Sequence, residues 1–111
     1  MIVRRYTDVK VEGIKADGAN GVSKRVLISE ADGAPNFIMR QFTIEPGGNT
    51  PYHTHDWEHE VYVLSGTGQV RQSDGARELG VGSVVLVLPS EEHGFVNTGN
   101  TPLVILCSIP K

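Results

Sequence analysis

His53, His55 and His59 lie within seven residues of one another, and the fourth and last histidine, His93, follows the next long apolar run. Neutral imidazole is the commonest protein ligand for a divalent metal. On extended backbone, residues two apart point to the same side, so His53, His55 and His59 share a parity with Val61 and Val63. Three imidazoles on one inward face need a reason, because apolar side chains would fill that face at lower cost. Metal binding is the strongest reason available. Glu60 stands one residue beyond His59 and takes the opposite side, unless a bulge shifts the count by one and brings the carboxylate inward instead. Both residues therefore stay open as the third ligand of this stretch.

The segments around the histidines read as strands and turns. Met1–Tyr6 contains a β-prone run that suits a sheet edge or exchange with a partner subunit, and Glu12–Gly21 reads as loop. Val22–Ile28 is a strand, Ser29–Pro35 a turn by its Asp-Gly and Pro, and Asn36–Glu45 a strand apolar on both faces. Pro46-Gly47-Gly48 breaks it ahead of the histidine cluster. Glu60–Leu64, Gln69–Gln72, Arg77–Leu79, Ser83–Leu88, Glu91–Asn97 and Leu103–Ile109 complete the set, and Ser73–Ala76 makes a hairpin turn. With 13 glycines and 6 prolines, few helices survive such punctuation. The pattern predicts an all-β sandwich or closed barrel.

A chain of 111 residues supports one core, so residues 1–111 are expected to form a single domain, with residues 1–8 as its edge strand. A net charge of −3 argues against nucleic acid as a partner. The basic pairs Arg4-Arg5 and Lys24-Arg25 read as solvated surface. No apolar run of membrane-spanning length and no secretory leader core is present, which points to a soluble cytoplasmic protein with no membrane partner. The one cysteine, Cys107, rules out an internal disulfide and a cysteine-built zinc site. Its parity with Leu103 and Ile105 predicts a buried thiol.

These motifs resemble a known family. Gly47-x5-His53-x-His55-x3-His59-x6-Gly66 resembles the first cupin motif, and Gly82-x6-Pro89-x3-His93-x3-Asn97 resembles the second. The likeness extends over nearly the whole chain and is greatest to the small single-domain manganese cupins. It implies a jelly-roll β-barrel and one divalent transition metal held by His53, His55, His59 and His93. Manganese is the ion the likeness implies, with iron, copper, nickel and zinc as other occupants. The more common first motif has Glu as third ligand, and here that position holds His59. The second motif also lacks its usual glycine before His93.

Four neutral ligands would leave the ion its full charge and an octahedral ion two open positions. Trp57, Phe95, Ile105 and Cys107 are the candidate pocket-lining residues, with Phe42, Ile44 or Met39 opposite Phe95. Glu58 or Glu60 could accept a ligand imidazole N–H. Two functions follow from this reading. One is a metal-dependent oxidoreductase, dioxygenase-like, acting on a small organic substrate in the barrel. The other is a non-enzymatic metal-dependent module that binds or senses a small ligand. No catalytic acid or base is identifiable, and the resemblance also implies a homodimer.

Overall fold

The computed structural model describes Met1–Lys111, and the alternation read from the sequence becomes nine strands. They are β1 (Glu12–Gly13), β2 (Asn20–Ile28), β3 (Phe37–Asn49), β4 (His59–Ser65), β5 (Gly68–Gln72), β6 (Gly75–Leu79), β7 (Val84–Val87), β8 (Gly94–Asn97) and β9 (Leu103–Pro110). All pairings are antiparallel. The main path runs β6-β5-β8-β3-β9-β4-β7, with β2 added to β3 and β1 to β2. One cluster of buried side chains draws Val22, Ile44, Val63, Leu79, Phe95 and Leu103 from six different strands. A sheet whose members all meet in one core must curl on itself, and this is an all-β jelly roll. No helix is long and apolar enough to cross a membrane.

Register arranges the interior in rows. Val22, Ile44 and Leu103 face one another across β2, β3 and β9 and form the apolar floor. The next row carries Lys24, Phe42, Ile105 and Val63, and the row beyond it Val26, Arg40, Cys107 and Val61. His59 continues the inward parity of Val61 and Val63 along β4, and all three are buried. The rows thus pass from purely apolar to polar along the barrel axis.

Four expectations need correction. Met1–Arg5 form no strand within the chain, and Tyr6–Asp8 make a single 3-10 turn. Arginines hold this segment: Arg4 donates to the Leu27 carbonyl at 3.0 Å and pairs with Asp32 at 2.6 Å, and Arg25 donates to the Tyr6 and Val9 carbonyls. The basic pairs read as free surface are in part tethers. Within the expected Glu12–Gly21 loop, Glu12 and Gly13 pair with Lys24 and Ser23. Finally, β3 does not end at Pro46. Asn20 pairs with Asn49 and Val22 with Ile44, so Glu45–Gly48 are absorbed as an irregularity and the strand continues to Asn49.

The turn between β4 and β5 depends on Gly66, whose φ of +87° is left-handed. A Cβ there would run into the Pro102 carbonyl oxygen and come within 2.9 Å of the Leu103 Cα. Both are backbone atoms, which cannot swing aside. Gly66→Ala is therefore expected to destabilise the fold by about 2 kcal/mol or more in chemical denaturation.

Candidate metal centre

The four histidines arrive at one place by two routes. His59 stands on β4, while His53 and His93 form an isolated antiparallel bridge outside the named strands. The amide N–H of each donates to the carbonyl of the other at 3.0 Å. His55 follows on the loop between them and β4. Ring centroids of His55 and His93 are 4.9 Å apart, and those of His59 and His93 are 5.1 Å apart. The rings of His53, His55 and His93 can offer nitrogens that all lie within 4.8 Å of one another.

Each member of that trio has its outer nitrogen fixed. Nδ1 of His53 lies 3.0 Å from the Pro51 carbonyl, Nδ1 of His55 2.9 Å from that of Trp57, and Nδ1 of His93 2.9 Å from that of Glu91. A carbonyl only accepts, so each Nδ1 carries the proton, and each Nε2 keeps a lone pair. Backbone carbonyls thus do the orienting work expected of Glu58 or Glu60, both of which are exposed.

His59 is set differently. Arg40 Nη2 lies 3.2 Å from its Nδ1, and an arginine can only donate. That bond puts the imidazole proton on Nε2, directed at His55 Nε2 2.5 Å away. Cys107 Sγ lies 2.8 Å from the same Nδ1. Glu60 points to the outside, between Leu86 and Ser108.

The histidines face a cavity of about 230 Å³. Of the residues expected to line it, Trp57, Phe95, Ile105 and Cys107 all do. Trp57 is 42% exposed at the mouth, its ring stacked on His55 at 4.3 Å and 7°. Phe42 forms the opposite wall, whereas Ile44 is buried in the floor beneath. Two cationic side chains, Lys24 and Arg40, also line the cavity: Lys24 reads from the sequence as solvated surface, and Arg40 is not singled out there. The signal for Arg40 was its parity with Phe42 and Ile44. For Lys24 it was a place on the Val22 face of β2.

Burial favours the uncharged form of His55, His59 and His93. Burial pushes His59 down to about 3, and the Arg40 charge adds to the effect. Burial also lowers His55 and His93, against the opposing pull of the Trp57 and Glu91 carbonyls. The Cys107 thiol is raised by burial, with Arg40 working in the other direction. A set of neutral imidazoles with free Nε2 lone pairs on fixed rings is what a divalent ion of borderline softness requires.

A curled antiparallel sheet with inward histidines at its mouth defines the class of protein. Residues 40–109 match the cupin domain family, and the chain belongs to that family. It is 34% identical over 109 residues to an L-ectoine synthase of Bordetella petrii, covering 96% of this chain and 80% of the relative. Among solved structures, the polyketide cyclase RemF of Streptomyces resistomycificus superposes with a TM-score of 0.93 at 37% identity, covering 99% of this chain and 79% of that one. A predicted oxalate decarboxylase of Thermotoga maritima superposes with a TM-score of 0.87 at 29% identity, over 98% of both chains.

The lowered histidines make stability depend on pH. Unfolded imidazoles take up protons near 6.5, whereas folded His59 resists until about 3. Between those values the unfolded chain binds more protons, so stability falls as pH falls. The melting temperature of the metal-free protein is expected to be level above pH 6.5 and to decline from there toward 3. A His59→Gln protein should show a shallower decline in scanning calorimetry.

Proposed function

We propose that this chain is a single-domain, metal-dependent cupin enzyme that transforms a small organic molecule inside its barrel. The observation that carries the reading is the trio of unprotonated Nε2 atoms, on rings each held in place by a carbonyl behind it, at the end of a dry-walled cavity. His53, His55 and His93 would hold the ion. His59 would complete a set of four once Arg40 Nη2 gives up its Nδ1 and the imidazole proton moves there, with Cys107 Sγ, 2.8 Å away, as the acceptor. The resemblance favours manganese. The lone, unpaired Cys107 suits a reducing, cytoplasmic setting.

A bound divalent ion supplies Lewis acidity to a substrate oxygen. The chain's own residues confine and orient. Phe42, Phe95 and Ile105 exclude water, Trp57 covers the mouth, and Arg40 meets the far side of His59. No Asp or Glu lines the cavity, so no carboxylate base is placed to activate water. The relatives are named as a synthase and a cyclase, which favours a non-oxidative rearrangement of the substrate. The second reading is a dioxygenase-like oxidation, favoured by the apolar walls and by the open positions that four ligands would leave.

Elemental analysis of the purified protein is expected to find one divalent ion per chain. The His53→Ala, His55→Ala and His93→Ala proteins should each lose it, and Glu60→Ala should keep it. Loss in Glu60→Ala with retention in His59→Ala would reverse the assignment of the fourth ligand. Metal-loaded protein supplied with small enolic and phenolic compounds should turn over equally with and without dioxygen. A strict need for dioxygen would favour the oxidative reading. Binding without turnover would make the protein a small-ligand module.

We propose in addition that two copies associate. Tyr62, Leu106 and Val84 form one outward row across β4, β9 and β7, with Leu86 beside it. Val84 and Leu86 are 73% and 58% exposed on β7, a strand that pairs only with β4 and ends the sheet. An apolar face beside an open edge invites a self-complementary partner. Light scattering at micromolar concentration should give a dimer mass, and Leu86→Glu should shift it to the monomer.

A further inference from the structure

The cavity holds two cationic side chains and no anionic one. Arg40 and Lys24 both line it, and its 14 lining residues include no Asp or Glu. The ion pairs of the chain, Arg4 with Asp32 and Lys111 with Glu30, involve neither of them. Arg40 spends one nitrogen on His59 Nδ1 and Cys107 Sγ, at 3.2 and 3.1 Å. Neither partner is a carboxylate. The guanidinium Nε is buried without any hydrogen-bond partner. Its central carbon lies 4.9 Å from the Phe42 ring centroid, so one face is packed and the remaining N–H groups are constrained in direction.

Register places Lys24 opposite Phe42 on the neighbouring strand, with Arg40 one inward position further along β3. The two charges therefore flank one aromatic ring. A half-buried guanidinium with no carboxylate partner is costly, and the cost is relieved when an anion arrives. Its planar fork of donors matches a carboxylate.

We infer that the cavity selects a small molecule bearing a carboxylate, held by Arg40 and Lys24, with its apolar part against Phe42, Phe95 and Trp57. This rests on the reading of the cavity as a small-molecule site and names the substrate class that it takes. At about 230 Å³ the cavity is smaller than the roughly 300–1,000 Å³ of sites for drug-sized ligands, so the substrate is a compact one. Arg40 and Lys24 are specificity-determining residues, brought together by the fold from two adjacent inward rows of side chains.

Trp57 is the one tryptophan in the chain and stands at the cavity mouth, so its fluorescence reports occupancy directly. Metal-free protein at about pH 8, where ordinary imidazoles are neutral, is titrated with benzoate and with benzamide at constant ionic strength. The two probes share a shape and differ in charge. Benzoate is expected to bind roughly tenfold tighter or more, a difference of about 1.4 kcal/mol. Arg40→Gln and Lys24→Gln should each remove most of that preference and leave benzamide unchanged. Arg40→Lys should retain part of it, and circular dichroism checks that each variant is folded. Equal affinity for the two probes overturns the inference, as does no binding of either at millimolar concentration, or a folded Arg40→Gln protein that keeps the full preference. The metal reading is scored separately on the same preparation. Benzoate preference in a protein that takes up no metal leaves the anion site standing and removes the metal centre. Stoichiometric metal with no charge preference does the reverse.

Discussion

A reciprocal pair of backbone hydrogen bonds between His53 and His93 is the constraint on which the site depends. These residues are 40 positions apart and belong to neither of the long ladders of the sheet. Their bridge is extended by Thr50, whose N–H donates to the Phe95 carbonyl at 2.8 Å and whose Oγ1 accepts from the Phe95 N–H at 2.8 Å. Gly94 lets the two segments lie this close, since a Cβ there would come within 3.3 Å of the Pro51 carbonyl oxygen and the Tyr52 Cα. Once the segments are joined, the Pro51 and Glu91 carbonyls fall behind the His53 and His93 rings. Backbone geometry, rather than any acidic side chain, then sets which nitrogen of each ring is free.

The second organising fact is a separation of charge. The rest of the surface carries the acidic excess that gives a net charge of −3. The cavity interior is imidazole, aromatic ring and two cations. Such a pocket raises no acid of its own and concentrates positive potential at its far wall, where Arg40 meets both His59 and Cys107. Three arginines of the same chain show how position decides role. Arg4 and Arg25 lie outside the barrel and tie the N-terminal segment to β2 through carbonyls. Arg40 is turned inward by one step of strand parity and becomes part of the site.

Asn97 closes the second motif in another sense. Its amide donates to the Ile44 and Thr101 carbonyls, both at 2.8 Å, and its Oδ1 accepts from the Gly99 N–H. Buried as it is, it satisfies backbone groups at the joint between β8, β3 and the turn before β9. The residue shares a motif with a metal-ligand candidate and serves the packing of the barrel.

Much of the protein was legible in the sequence. The spacing of His53, His55, His59 and His93 marked the site, the period-2 pattern of Val61, Val63, Ile105 and Cys107 marked the inward faces, and glycine and proline marked the turns. Those features are local, and strand parity carries them faithfully into the fold. The same parity turned Glu60 outward. Tertiary structure alone decided the rest, because each remaining feature depends on residues far apart in the chain. Register across β2, β3 and β9 brought Lys24, Arg40 and Cys107 around one cavity. Carbonyls of Pro51, Trp57 and Glu91, which carry no sequence signature at all, fixed the protons of three imidazoles. Pairing with Asn20 carried β3 through Pro46 to Asn49, where local turn chemistry had pointed to an end. Met1–Arg5, β-prone by composition, found arginine tethers and no strand partner within the chain, since a strand needs a neighbour and propensity does not supply one.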